Sequence, residues 1–208
     1  MHDRLYPNEA MKTHWYRMLV CTSGLMGHGN YGQPFSRNNA CPLCGAGAEP
    51  IPPLVVNLRS MGKKKLDATA HEGLIVIRND LAEQIRASSL TGYKFDSVRH
   101  FAHNAISSEY VWMRIVNQWP PLHKKSKFDI DVKCQTCQRS GYCDIPNWGT
   151  ILCYNKVPKN MADFGLTWEY WGVWNAPNKK AKNVGGAQYP IVSLAVRELF
   201  EQINIVDE

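Results

Sequence analysis

The sequence predicts an α+β fold of mostly short antiparallel strands with few short helices, arranged as two loosely repeated halves. Runs of strand-forming residues are short, and segments rich in Gly, Asn, Ser or Pro separate them. Clear helix signals are few. A similar strand–helix pattern occurs at residues 76–85 and again at 191–200.

Length and composition favour one domain. The chain has 208 residues, of which 44% are hydrophobic and 20% charged, so it is long enough to build a substantial core without help from a metal. We expect a single α+β domain over 1–208, with possible sub-halves 1–105 and 106–208.

Residue patterns place the individual elements. Residues 127–133 alternate charged and apolar side chains, which is typical of a strand with one solvated face. Asp80 and Glu83 have the spacing of a capping box and predict a short helix over about 80–88. Strands are predicted at 14–21, 54–58, 74–77, 93–98, 109–117, 127–133 and 151–154.

The repeated pattern consists of a strand, a sharp turn and a short helix. Each copy lies downstream of one CxxC pair and is followed by an extended segment, at 93–98 and at 203–206. Strand–helix units are common, so chance similarity is the alternative interpretation.

Two CxxC pairs predict one closed metal site. Cys41 and Cys44 form the first pair, and Cys134 and Cys137 form the second. Zn²⁺ prefers four soft or borderline ligands in a tetrahedron, and two thiolates two residues apart can bind one ion from a tight turn. We therefore expect these four cysteines to hold one structural Zn²⁺ per chain, which staples the two halves together.

The glycines near the two pairs differ. Gly45 follows the first pair at once and suits a turn with φ > 0, whereas the nearest glycine after the second pair is Gly141. Closing the long loop between the pairs costs on the order of 4 kcal/mol, while structural zinc contributes roughly 10 to 16 kcal/mol. The ion can therefore join distant parts of the fold.

Other assignments of the cysteines remain open. Cys143, Cys153 and His123 are alternative fourth ligands, and Cys21 falls in a predicted strand, where it suits the core. A dithiol redox site at the first pair would need a helix starting at its first cysteine. Residues 45–50 contain two glycines and a proline, which disfavours such a helix.

The chain offers little sign of catalysis. It contains no HExxH, P-loop or GxSxG motif, and a four-cysteine zinc has no open position for water. His100 and His103 could share a helical face, but they lack a partner pattern. Residues 168–174 hold three tryptophans and a tyrosine, which suit either a rigid core or a binding platform. We expect no enzyme.

The expected location is the cytoplasm. The N-terminus lacks the pattern of a signal peptide, and no run of residues is long and apolar enough to span a membrane. In a reducing compartment, seven cysteines favour metal binding or buried thiols over disulfides. Four thiolates and one divalent ion lower the formal net charge from +6 to +4, so the chain is only mildly basic.

Four segments together resemble a known family. They are residues 41–45 (CPLCG), the unit at 74–98 with its LTGYKF segment at 90–95, residues 134–137 (CQTC) and the closing unit at 191–206. This arrangement is similar to the double-CxxCG proteins and the related immunity proteins of bacterial polymorphic toxin systems. The second pair departs from the family pattern because no glycine follows it directly.

The resemblance implies a non-catalytic cytoplasmic protein that binds and neutralises one cognate toxin domain, with a metal that only holds the scaffold. The alternative is a zinc-ribbon-like nucleic-acid-binding protein that uses the tryptophan cluster at 168–174 and the lysine runs at 63–65, 124–127 and 179–182. Each run is short and lies beside Gly, Pro or Asn, which is typical of solvated loops. We therefore expect a protein partner rather than a nucleic acid or a membrane.

Overall fold

The computed structural model of the protein describes residues 4–5, 15–17, 33–58, 68–71, 74–123, 126, 132–142, 154, 160–171 and 188–203. Within these residues the fold is α+β, with two short helices and mostly short strands in small sheets. The predicted fold class is therefore confirmed. Neither helix in this part of the chain combines the length and the apolar character needed to cross a membrane.

The described elements follow one another in chain order. The strands are β1 (Arg4–Leu5), β2 (Trp15–Arg17), β3 (Phe35–Ser36), β4 (Glu49–Pro50), β5 (Leu54–Val56), β6 (Ala68–His71), β7 (Leu74–Arg78), β8 (Tyr93–His100), β9 (Ala105–Ile115), β10 (Val132–Lys133), β11 (Ser140–Tyr142), β12 (Phe164–Leu166), β13 (Tyr170–Trp171) and β14 (Pro190–Ser193). The helices are α1 (Asn79–Ala87) and α2 (Leu194–Gln202).

The largest sheet has five strands in the order β5-β8-β9-β7-β6. Its centre is the antiparallel hairpin of β8 and β9, whose turn contains Asn104 at φ 49°. Asparagine tolerates this left-handed conformation better than most residues. Strand β7 pairs antiparallel with β9, and β5 pairs parallel with β8.

Three smaller sheets complete the described fold. A four-stranded sheet has the order β1-β2-β14-β12, a three-stranded sheet has the order β10-β11-β13, and β3 pairs with β4. Strand β2 near the N-terminus therefore pairs with β14 near the C-terminus. Strand β9, which begins at the expected boundary between the sub-halves, pairs with strands that precede it. The two predicted halves are thus interleaved within the sheets.

Both helices follow directly from a strand, as the repeated pattern predicts. Helix α1 buries Leu81, Ala82 and Ile85 on one face. Its predicted capping box is wrong: the N-cap is Arg78, and Asp80 lies in the first turn, where its Oδ1 accepts from the Leu81 N–H at 2.9 Å. A carboxylate there still complements the partial positive charge of the helix N-terminus.

Helix α2 has a side-chain cap. The Ser193 hydroxyl accepts a hydrogen bond from the Val196 N–H at 3.4 Å, which satisfies one of the free donors of the first turn. Val196 is fully buried and faces the main core.

Two apolar clusters lie on opposite faces of the five-stranded sheet. The first contains side chains from the sheet, both helices, β12 and β14, and so joins the two larger sheets: Ile75, Ile77, Leu81, Ala82, Ile85, Met113, Ile115, Phe164, Val192 and Val196. The second covers the other face: Leu54, Val56, Leu58, Val76, Val98, Tyr110 and Trp112. Alternation along β7 divides its side chains between the two clusters, as expected of a strand buried on both faces.

Most predicted strands that fall on described residues are present. The predictions at 54–58, 74–77, 93–98 and 109–117 correspond to β5, β7, β8 and β9, although β9 begins earlier, at Ala105. The helix predicted over 80–88 is α1.

Other predictions fall partly or wholly outside the described residues. Of the strand predicted at 14–21, only 15–17 are described, and they form β2. Of the strand predicted at 127–133, only 132–133 are described, and they form β10. At 151–154 only Tyr154 is described, and it forms an isolated antiparallel bridge with Leu122. Of the extended segment predicted at 203–206, only Ile203 belongs to the described residues.

Candidate metal centre

The first cysteine pair lies in a tight turn between β3 and β4. The Gly45 N–H donates to the carbonyl of Cys41 at 2.8 Å, and the Cys41 N–H donates to the carbonyl of Ala46 at 2.8 Å. Gly45 has φ 75° and Gly47 has φ 91°, conformations that favour glycine. The residues after Cys44 form turns and then β4, not the helix that a thioredoxin-type site requires.

The second pair repeats this geometry between β10 and β11. The Gln138 N–H donates to the carbonyl of Cys134 at 3.0 Å, and the Cys134 N–H donates to the carbonyl of Arg139 at 3.0 Å. Gln138 has φ 59° and occupies the position that Gly45 has in the first turn. The left-handed residue of this turn is therefore Gln138 itself, and Gly141 lies beyond it in β11.

The two turns bring all four predicted sulfurs together. Their Sγ atoms lie within 4.8 Å of one another. The Cys41–Cys134 distance is 3.7 Å and the Cys44–Cys137 distance is 3.6 Å. A disulfide would need about 2.05 Å, and all four cysteines are free.

These distances suit a tetrahedral metal site. With a metal–sulfur bond of about 2.3 Å, the edge of a regular tetrahedron is roughly 3.8 Å, close to both short contacts. Two of the sulfurs come from residues that are almost fully buried, since Cys41 and Cys134 are 8% and 3% exposed. The four thiols can therefore hold one metal ion.

Backbone N–H groups point at the cysteine sulfurs, where they stabilise the negative charge of a thiolate. Burial alone would raise the pKa of the Cys41 thiol, but hydrogen bonds from the backbone N–H groups of Cys44 and Leu43, and from neighbouring thiols, lower that pKa to about 6. Burial raises the pKa of Cys44 and of Cys137, although backbone N–H groups of Ala46 and Arg139 point at their sulfurs. A bound cation must therefore displace protons from these thiols.

Tyr170 joins the two cysteine turns. It packs against Cys41 and Cys134, and its hydroxyl oxygen accepts from the Gly47 N–H at 3.2 Å and from Arg139 Nη1 at 3.3 Å. Sequence reasoning missed this role. The only available signal was the position of Tyr170 within the aromatic run at 168–174.

Arg139 extends the support of the site outward. Its guanidinium carbon lies 4.4 Å from the centre of the Trp168 ring and 5.6 Å from that of Tyr170. Its Nη2 donates to Gln118 Oε1 at 3.0 Å. Trp168 is thus covered by a charged side chain on one face.

The other described part of the aromatic run belongs to the core. Trp171 packs with Trp119 and Ile191, and Glu169 between the aromatic residues is 2% exposed. Its Oε1 accepts from the Leu122 N–H at 2.7 Å. Burial raises the pKa of Glu169, while the Leu122 hydrogen bond and the positive charge of Arg139 lower it. Residues 172–174 lie outside the described part of the chain.

The remaining candidate residues do not join the cluster as far as they are described. His123 is not among the four residues that can hold the ion. Cys21, Cys143 and Cys153 lie outside the described residues.

The sequence suggested that His100 and His103 could share a helical face, but the structure places neither of them in a helix. His100 ends β8 and His103 lies in the following turn, because the chain reverses there into β9. Their ring centroids are 4.7 Å apart, and His100 Nδ1 accepts from the Ala102 N–H at 3.0 Å.

Comparison of the chain with protein-family models, with curated proteins and with solved structures finds no match.

Proposed function

We propose that the four-cysteine cluster binds a single Zn²⁺ ion whose role is structural. Two sulfur–sulfur contacts near the expected tetrahedral edge and several backbone N–H groups directed at sulfur support this assignment. Four thiolates fill all four positions of a tetrahedral ion. Zinc bound in this way offers no site for an activated water, so its contribution is to stability.

We infer that the protein is a non-catalytic immunity protein, which binds a cognate bacterial toxin domain in the cytoplasm and neutralises it. The observation that carries this proposal is the set of segments that resemble such proteins. Each has a defined structural place: CPLCG forms one metal-binding turn, CQTC forms the other, and a strand–helix unit occurs twice.

The Leu-Thr-Gly segment at 90–92, which is part of the family resemblance, follows α1 in the chain and contacts β12. Thr91 donates to Asp163 Oδ2 from its backbone N–H at 2.8 Å and from its hydroxyl at 2.9 Å. Gly92, at φ 99°, brings the turn so close to β12 that a Cβ atom would lie 2.3 Å from the carbonyl oxygen of Phe164. The segment therefore holds the turn after α1 against β12 of the four-stranded sheet, as expected of a rigid binding scaffold.

Burial of Tyr170 and Trp171 weighs against the nucleic-acid alternative. Base stacking needs an exposed ring face, whereas Tyr170 and Trp171 are 8% and 2% exposed. The mildly basic chain instead suits a protein partner with an acidic face, since complementary charge speeds and orients association. A strongly basic toxin domain would contradict this part of the proposal.

The test is a binding and protection experiment with the product of the neighbouring open reading frame. Co-expression should yield a stable complex of defined stoichiometry in size-exclusion chromatography, and the protein should restore growth to cells that produce the toxin domain. A Cys134→Ser/Cys137→Ser double variant, which lacks half of the metal ligands, should protect less well. Failure of both readouts would reject the immunity role.

The same purified protein separates the alternative. A zinc-ribbon-like nucleic-acid binder should shift random DNA or RNA in a gel, and the shift should weaken steeply between about 50 and 200 mM salt. The immunity role predicts no shift at either concentration.

A further inference from the structure

The four cysteines differ in their access to solvent. Cys41 and Cys134 are 8% and 3% exposed and form one contact across the two turns. Cys44 and Cys137 are partly exposed and form the other contact across the turns, at 3.6 Å. Cys137 is the most accessible of the four. The cluster thus has an inner pair and an outer pair, each with one sulfur from each turn.

We propose that the outer pair is a site of reversible oxidation, at which a hydroperoxide joins Cys137 to Cys44 in a disulfide and releases the metal. This inference rests on the proposed metal centre and is independent of toxin binding. Metal coordination holds the sulfurs as thiolates, which are the form that reacts with peroxides. Accessibility then directs the oxidant to Cys137.

The chemistry balances with hydrogen peroxide as the oxidant. The Cys137 thiolate attacks one peroxide oxygen, so that an S–O bond forms, the O–O bond breaks and hydroxide leaves. The Cys44 thiolate then attacks the Cys137 sulfur, so that an S–S bond forms, the S–O bond breaks and a second hydroxide leaves. The two thiolates together lose two electrons, and the peroxide is reduced to two hydroxides.

Geometry favours this pairing over the other possible disulfides. The sulfur–sulfur contacts of 3.7 and 3.6 Å both cross between the turns, and burial protects the inner one from an oxidant. Loss of two ligands leaves only Cys41 and Cys134, too few to retain the ion. The new disulfide would join the same two turns that the metal joins, so the long loop between them stays closed.

The test uses the full-length metal-loaded protein and hydrogen peroxide. A colorimetric chelator follows metal release while free thiols are alkylated and peptides are mapped without reduction. Trypsin places the first pair in peptide 38–59 and the second in peptide 134–139. We expect metal release and a link between these peptides to rise together. Fragment spectra should place the link at Cys44 and Cys137, with Cys41 and Cys134 alkylated.

Two variants test the order of events. In Cys44→Ser the reaction should stop at a sulfenic acid on Cys137, which dimedone traps, whereas Cys137→Ser should show on the order of tenfold less label. If either variant fails to fold, the peptide map of the unmodified protein decides. Reduction followed by added Zn²⁺ should restore the original metal content.

Several outcomes would overturn the proposal. They are a disulfide within one turn, a link between Cys41 and Cys134, or metal release without any disulfide. Metal content measured before oxidation keeps the two proposals distinguishable. Protein that is purified without metal would reject the metal centre, while the same peptide map would still show whether peroxide joins Cys44 to Cys137.

Discussion

Gly45 and Gln138 occupy the same backbone position in the two cysteine turns, and both are left-handed. Glycine adopts this conformation freely, whereas other residues incur a cost of roughly 1–2 kcal/mol. Spacing alone suggested Gly141 for the second turn. The hydrogen bonds of Cys134 instead fix Gln138 there, and the Gln138 side chain adds a bond from Nε2 to the Gln135 carbonyl at 2.7 Å.

This equivalence gives a paired prediction. Gly45→Ala should lower the free energy of unfolding of the metal-loaded protein by about 1–2 kcal/mol, because it places a Cβ in left-handed backbone. Gln138→Gly should change it by less than about 1 kcal/mol, since relief of strain offsets the greater chain entropy and the lost hydrogen bond. Urea unfolding measures both. A larger loss for Gln138→Gly than for Gly45→Ala would contradict the assignment.

At Gly92 the neighbouring backbone leaves no room for a side chain. A Cβ there would lie 2.3 Å from the Phe164 carbonyl oxygen, and φ is 99°. Gly92→Ala should therefore destabilise the protein by more than about 2 kcal/mol in thermal or urea unfolding. Exposed Ser89→Ala in the same connection is the control and should change stability by less than about 0.5 kcal/mol. Equal effects of the two changes would reject close docking of this turn.

At the scale of elements, Asp163 links the turn after α1 to the start of α2. Its carboxylate accepts two bonds from Thr91, and its Oδ1 accepts from the Ser193 hydroxyl at 2.8 Å. Ser193 in turn caps α2. Asp163→Ala should cost about 2 kcal/mol of stability, and Asp163→Asn less, because one acceptor oxygen remains.

The matched control for Asp163 is Glu83→Ala on α1. Among the described residues Glu83 pairs with Arg86 on an exposed face, so its removal should change stability by less than about 0.5 kcal/mol. Urea unfolding of all three variants tests the link. It would be disproved if Asp163→Ala unfolded at the same urea concentration as Glu83→Ala.

Buried Glu169, next to β13, should make the stability of the folded protein depend on pH. Burial raises its pKa in the folded state, so between its unfolded and folded pKa values the folded protein binds the extra proton. The contribution of Glu169 to the free energy of unfolding therefore falls as pH rises from its unfolded pKa through its folded pKa. Glu169→Gln keeps an oxygen that can accept from the Leu122 N–H and removes the charge. The variant should be at least as stable as the native protein at pH 7.

Melting temperatures of the native and Glu169→Gln proteins, compared at each pH from about 4 to 8, measure this effect. Both share any metal loss in acid, so their difference isolates Glu169. The advantage of the variant should shrink as the solution becomes more acidic. If the melting temperature of Glu169→Gln rose further above that of the native protein towards low pH, burial could not be raising the pKa of Glu169.

Across the chain, local sequence patterns predicted individual elements but did not indicate which distant strands pair. The four cysteines could be predicted because chelation by CxxC depends on spacing within one turn. Helix α1 and strands β7 to β9 could be predicted from their own residues. Pairing of β2 with β14 could not, because it depends on how Ile191 and Val192 are buried after the chain has folded.

The place of Tyr170 illustrates the same limit within the site. Strand β13 pairs parallel with β11, which brings Tyr170 beside the two cysteine turns. Only two residues of β13 are extended, and no periodic pattern in so short a strand indicates its partner. The aromatic run predicted a rigid segment, but its position beside the cysteines follows from the fold alone.

The most direct test is the metal content of the untagged protein, measured by elemental analysis together with its melting temperature. We predict one zinc ion per chain, and we expect the Cys134→Ser/Cys137→Ser variant to lose both the ion and a large part of the thermal stability. Native protein without bound metal, or a double variant that melts at the native temperature, would contradict a zinc ion that joins the two cysteine turns.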